Sequence, residues 1–110
     1  MVQNTIEQIE EKIRKNNSLS SNNKTELLDL LAKLKPEITK LSQVQSEHAE
    51  SIAGFVERSA HEATRQEKNP TLLKIAADGL SASVKGFESS HPKLVETVNY
   101  IATSLANIGL

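Results

Sequence analysis

Large apolar residues recur every three or four positions from the second quarter of the chain to its middle. We refer to them as the apolar seam, which comprises Leu27, Leu31, Leu34, Ile38, Leu41, Ile52 and Phe55. Steps that alternate between four and three line up side chains along one side of an α-helix. Gln45 and His48 hold the two seam positions between Leu41 and Ile52, where we expect a polar layer that fixes the register of helix pairing. The pattern predicts a long central helix.

This central helix is predicted over residues 22–67, with a kink at Pro36. Proline has no N–H to donate and disfavours helical geometry at Lys35. Leu34 and Ile38 nevertheless keep one heptad phase across it. Proline is also common at the first position of a helix, so a break at Pro36 stays open as an alternative. A continuous helix of this length would extend roughly 60–70 Å at ~1.5 Å per residue.

Three further helices are predicted, over about 5–15, 70–88 and 92–108. The last two should form an αα-hairpin. Gly109 falls where a left-handed helix cap would lie, with Leu110 folded back onto the last helix. Together the segments predict an all-α protein: an antiparallel helical bundle in a single domain covering residues 1–110.

Small residues form a second stripe on two of the predicted helices. In the second half of the central helix the stripe is Ala49, Ala53, Val56, Ala60 and Ala63, and in helix 70–88 it is Ala76, Gly79, Ser83 and Gly86. Small side chains allow two helix backbones to approach closely, so we expect these stripes to pack against each other in antiparallel fashion. The alternative is that the glycines only soften an exposed helix.

Composition narrows the function classes. The chain has 13 basic and 14 acidic residues, so it lacks the basic excess of a protein that grips a phosphate backbone. No apolar run reaches the ~20 residues of a membrane span. There is no cysteine and no signal-peptide pattern, which favours the cytoplasm. Only 37% of the residues are hydrophobic, and so thin a core in a short chain favours a homodimer or higher homo-oligomer.

The three histidines are the only candidates for site chemistry. Glu57 and His61 lie one helical turn apart and are weak candidates for metal ligands. In a homodimer such pairs could double into a site similar to that of di-iron bundles, which need Glu-x-x-His motifs on several helices. The one Glu-x-x-His sequence, Glu88 to His91, ends in a turn. A solvated pair is the simpler reading, and no catalytic residue or cofactor is predicted.

The C-terminal sequence FESSHPKLVETVNYIATSLANIGL resembles the closing segment of a bacterial family of short, all-helical proteins classed as a domain of unknown function. Members of that family end with a phenylalanine, a Ser/His/Pro turn and a helix that closes on an Asn/Ile/Gly motif. The resemblance covers residues 87–110 well and residues 5–41 loosely, including Ser18-Leu19-Ser20 between two helices. It implies an all-α fold and brings no known activity and no functional residues.

These observations favour a non-catalytic, self-associating interaction or scaffold protein whose partner is not specified. A carboxylate/histidine metal-binding protein is the alternative from a different class. Neither nucleic acid nor a membrane is expected as a partner.

Overall fold

The computed structural model describes residues 2–108, which form five α-helices. They are α1 (Val2–Lys15), α2 (Ser21–Val44), α3 (Ser46–Ala63), α4 (Pro70–Ser83) and α5 (Pro92–Ile108). Within this described range there is no β-strand. The predicted all-α fold class is therefore confirmed. Gly109 and Leu110, for which we expected a helix cap, lie outside the described residues.

The long central helix is interrupted at Gln45, so the prediction of one continuous helix over 22–67 is wrong. Gln45 has φ −143° and ψ 72°, far from helical values. Its N–H donates to the carbonyl of Leu41 and closes α2, and its carbonyl accepts from the N–H of Ala49 and opens α3. The molecule is only 37 Å long, about the length of α2 alone, so α3 must lie alongside α2. The expected rod of 60–70 Å does not exist.

Helix α2 runs without interruption through Pro36. A proline inside a helix removes one backbone hydrogen bond and costs about 3 kcal/mol. Leu34 and Ile38, on either side of it, are completely buried. Burying a large aliphatic side chain contributes roughly 1.5–3 kcal/mol, so the two together offset the proline.

Asn16 ties the loop after α1 to the far end of α3. Its Oδ1 accepts hydrogen bonds from the backbone N–H groups of Ser18 (2.9 Å) and Leu19 (3.0 Å). Its Nδ2 donates to the carbonyl of Thr64 at 3.1 Å. This single side chain both shapes the α1–α2 turn and joins it to the end of α3.

An ion pair with a buried carboxylate joins α1 to α2. The Lys35 ammonium lies 2.9 Å from Oε1 of Glu10, whose side chain is buried, and 3.9 Å from Oε2 of the more exposed Glu7.

Helix α1 begins at Val2, earlier than the predicted residue 5, and Val2 is itself buried. The apolar face of α1 therefore starts one turn before Ile6.

Helix α4 ends at Ser83, so its predicted extension to residue 88 is wrong. Asn69 caps its start by accepting from the N–H of Leu72 at 3.1 Å. Past the end, Gly86 has φ +98°, a conformation that side-chain-bearing residues rarely adopt. Glu88 accepts the N–H of Gly86 at 2.8 Å and stabilises this turn. Gly86 thus terminates the helical region and is not part of a packing stripe.

Buried apolar residues from all five helices form one hydrophobic cluster. The radius of gyration is 12.9 Å, against about 13 Å expected for a compact domain of this length. A groove between α4 and α5 is lined by Pro70 and Ile75 on one side and by Ala106 and Asn107 on the other. The start of α4 therefore lies beside the end of α5, as in an antiparallel hairpin.

Candidate interaction surface

The apolar seam lies inside the folded chain. Six of its seven residues are 1% exposed or less, namely Leu27, Leu31, Leu34, Ile38, Leu41 and Ile52. Phe55 is the exception, at 41% exposed. The chain's own helices cover the seam, because α3 folds back at Gln45 and does not extend away from α2. The physical reason for expecting a second copy along the seam therefore does not hold.

Gln45 and His48 do not form a polar layer in the core. Gln45 is the exposed residue between α2 and α3, and His48 is exposed in the first turn of α3. The His48 ring makes an edge contact with the buried Phe87, at a centroid distance of 5.4 Å. His91, half-buried, contacts the same ring at 6.1 Å. The two histidines thus flank Phe87 at the end of the bundle where α3 and α5 begin.

Glu57 and His61 are both exposed on α3, one turn apart. They line a shallow groove together with Lys12 and Arg58. Two positive side chains beside the pair oppose the binding of a metal cation. Among residues 2–108 no group of three or more His, Cys, Asp or Glu side chains is placed to hold a metal ion. The pair therefore gains no third ligand from the fold.

Exposed large apolar side chains in the described part of the chain lie on four helices, and α4 carries two of them. The residues are Val44 on α2, Phe55 on α3, Leu72 and Ile75 on α4, and Tyr100 on α5. Leu72 (42% exposed) and Ile75 (62% exposed) lie on one side of α4, and the steps to Gly79 and Ala82 continue that side by four and three residues. We call Leu72, Ile75, Gly79 and Ala82, with the neighbouring Phe55, the α4 face.

Phe55 belongs to this face because α3 and α4 approach closely at Gly79. A Cβ atom added to Gly79 would lie 2.8 Å from Cε1 of Phe55, closer than real Cβ contacts come. The ring therefore occupies the space that a side chain at position 79 would need. The stripe of alanines on α3 was expected to pack against Gly79, but the atoms that a side chain there would meet belong to Phe55.

Charged groups border the α4 face on one side. Lys74 and Asp78 form an exposed ion pair of 2.9 Å along α4. Both also line the groove of about 560 Å³ between α4 and α5, next to Ile75. The surface thus combines exposed aliphatic side chains, a small-residue surface, and one positive and one negative charge at its edge. Contiguous apolar exposure with a polar rim is typical of protein-binding surfaces.

Reasoning from the sequence missed Leu72 and Ile75 as surface residues of interest. The available signal was that α4 carries apolar residues around most of its circumference, more than one core-facing side needs. Leu73, Ala76, Ala77 and Leu80 supply the buried side. Which of the remaining apolar residues face solvent depends on where α3 and α5 pack, and that is a tertiary property.

None of the helices in the described range is both long and apolar enough to cross a bilayer. No curated protein and no solved structure matches the chain. A family model described as "Domain of unknown function (DUF4404)" matches residues 2–110. Since this match covers nearly the whole sequence, the chain belongs to that family.

Proposed function

We propose that this protein is a non-catalytic, cytoplasmic protein-interaction module whose binding surface is the α4 face. The observation that supports this most directly is Ile75, a large aliphatic residue that is 62% exposed on the same side of α4 as the 42% exposed Leu72. Exposing these side chains together is unfavourable by ~25 cal/mol per Å² of apolar surface unless a partner covers them. The absence of cysteine supports a reducing compartment.

Site-specific photo-crosslinking in the native cell tests this proposal. A benzophenone amino acid replaces Ile75 in one variant and Tyr100 in a matched control. Tyr100 is similarly exposed, at 59%, and lies one turn before Ser104, whose hydroxyl donates to Glu26 of α2. It therefore lies on the side of α5 that faces α2.

We expect a protein adduct from position 75 and none from position 100. The adduct should disappear when Leu72→Asp is added, because a charge in the apolar face is costly to bury. Circular dichroism checks that Leu72→Asp remains folded. Adducts of equal yield at both positions, or no adduct at position 75, would contradict the proposal.

A further inference from the structure

We infer that the one-residue connection at Gln45 is a hinge through which two copies of this chain exchange their C-terminal halves. In the monomer, α3 packs against α1 and α2, and α5 packs against α2. In the exchanged dimer, α2 and α3 of each copy straighten into one helix, and α3–α5 of each copy pack on α1 and α2 of the other. Such an exchange reuses contacts that the monomer already makes. The α4 face plays no part in it.

Gln45 is the shortest connection between helices in the described part of the chain. The other helices are joined by longer segments, namely residues 16–20, 64–69 and 84–91. Neither glycine nor proline lies between Leu41 and Ile52, and no side-chain hydrogen bond caps the start of α3. The sequence therefore contains no residue that prevents one helix from continuing through the hinge. Short hinges between packed elements favour exchange between copies.

Backbone hydrogen bonds already span the hinge. The N–H of Gln45 donates to the carbonyl of Leu41 at 2.8 Å, and its carbonyl accepts from the N–H of Ala49 at 3.1 Å. Both bonds have the four-residue spacing of an α-helix. No backbone hydrogen bond joins the N–H groups of residues 46–48 to the carbonyls of residues 42–44. Straightening the hinge pairs these groups, which are the unsatisfied ends of two helices in the monomer.

The buried sides of α2 and α3 fall in line when the hinge straightens. Leu41 and Ile52 are separated by 11 positions, close to three full turns of a helix. Both are completely buried in the monomer, and one partner helix on that side of the straightened helix can cover both. Val44, 71% exposed, lies beside this line, one position before the hinge. The partner's helix would cover Val44 where the two straightened helices pass each other.

Protein concentration during folding decides between the two forms. The exchanged dimer keeps the contacts between helices and gains hydrogen bonds at the hinge, whereas the monomer avoids the entropy cost of bringing two chains together. After folding, α1 and α2 must separate from α3 and α5 before the forms can interconvert. A folded sample therefore keeps the form in which it folded.

Refolding from urea at two concentrations tests the hinge. A sample at ~1 mM protein approaches the effective concentrations found within one chain, whereas a sample at ~10 µM lies far below them. Ser46→Pro places proline at the first position of α3, where a helix tolerates it, but in a straightened helix the ring would clash with the carbonyl of Ser42. Ser21→Pro, at the first position of α2, is the matched control. Size-exclusion chromatography with light scattering measures the dimer fraction after dilution.

A cysteine pair distinguishes exchange from any other kind of dimer. Ser104 of α5 donates a hydrogen bond to Glu26 of α2, so cysteines introduced as Glu26→Cys and Ser104→Cys can be joined by a short bis-maleimide reagent. The chain has no other cysteine to compete. The link lies within one chain in the monomer and between two chains in the exchanged dimer. A denaturing gel separates these products.

We expect the wild type to give a dimer after refolding at the higher concentration, and the dimer should persist on dilution. In the double-cysteine chain, the link formed in this dimer should join two chains. Ser46→Pro should give at least about 10-fold less dimer, because proline inside a straightened helix is strongly unfavourable. Ser21→Pro should dimerise as the wild type does.

Three results would each overturn the inference. They are a wild type that refolds only as monomer, a dimer whose link stays within one chain, and a Ser46→Pro variant that dimerises as well as Ser21→Pro. Circular dichroism checks that Ser46→Pro folds. If it does not, insertion of two glycines after Gln45 takes its place, because a longer hinge favours the monomer and should lower the dimer fraction. An unchanged dimer fraction after this insertion would equally overturn the inference.

Discussion

The Phe55 ring of α3 occupies the space that a side chain at position 79 of α4, a glycine, would need. A methyl group at position 79 would come within 2.8 Å of Phe55 Cε1 and 3.1 Å of its Cδ1. To accept a side chain at position 79, the Phe55 ring would have to shift away from α4. The glycine therefore allows the ring to pack against α4 in its present position.

Replacing Gly79 should destabilise the fold through Phe55. We expect Gly79→Leu to lower the free energy of unfolding by about 1–3 kcal/mol, the usual cost of overpacking. In a Phe55→Ala background the same change should be neutral or stabilising, since leucine favours a helix over glycine by up to ~1 kcal/mol. Urea denaturation of the four proteins in dilute solution measures the coupling. Equal effects of Gly79→Leu in both backgrounds would rule out the steric explanation.

Replacement by alanine should change the free energy of unfolding in opposite directions at two other glycines. Gly54 lies within α3, and an added Cβ would meet nothing within 4 Å, so Gly54→Ala should raise the free energy of unfolding by up to ~1 kcal/mol. Gly86 has equally open space but a φ of +98°. Gly86→Ala should therefore lower it by roughly 1–2 kcal/mol through backbone strain alone. Thermal denaturation distinguishes these outcomes, and a stabilising Gly86→Ala would show that the turn conformation is wrong.

The Lys35–Glu10 pair should contribute more to the free energy of unfolding than an exposed pair of similar geometry. Lys35→Met leaves the buried Glu10 carboxylate without its main cation, and we expect a loss of about 1–3 kcal/mol. Arg14, 3.2 Å from Glu11 with both side chains about half exposed, is the control. Arg14→Met should change stability by less than ~0.5 kcal/mol. Similar losses in both variants, measured by urea denaturation, would mean that burial does not set the strength of these pairs.

The seam should stabilise a single chain, independently of any partner. Leu34→Ala creates a cavity at a fully buried position and should cost about 2–5 kcal/mol. Ile75→Ala, on the exposed α4 face, should change the unfolding free energy of the monomer by less than ~0.5 kcal/mol. The loss in Leu34→Ala should not vary with protein concentration. A loss that grows with concentration would indicate that the seam pairs two chains after all.

The continuity of α2 could be predicted from sequence because Leu34 and Ile38 keep the same helical phase on both sides of Pro36. The break at Gln45 could not, since this position has neither glycine nor proline. It forms because α3 buries Ile52 and Val56 only by folding back onto the core. The polar interval in the seam, interpreted as a layer between two chains, was in fact the signal of a turn.

The interaction surface was harder to predict than the core. Glu57 and His61 were metal-ligand candidates because carboxylate and imidazole groups can bind metal ions, yet the fold gives them no third ligand in the described range. Leu72 and Ile75 were not recognised as surface residues, because the sequence does not show which aliphatic side chains are exposed. An exposed aliphatic residue also indicates a binding surface only when the residues around it in the fold are known.

The central claim is that the chain's own helices cover the apolar seam, so that no second copy is needed there. Amide ¹H–¹⁵N NMR spectra recorded from ~0.05 to ~1 mM protein test it most directly, because association shifts the resonances of residues at the contact. The account predicts no concentration-dependent shift at Leu31 or Leu34, which are buried within one chain. Shifts at these two residues that grow with protein concentration would contradict it.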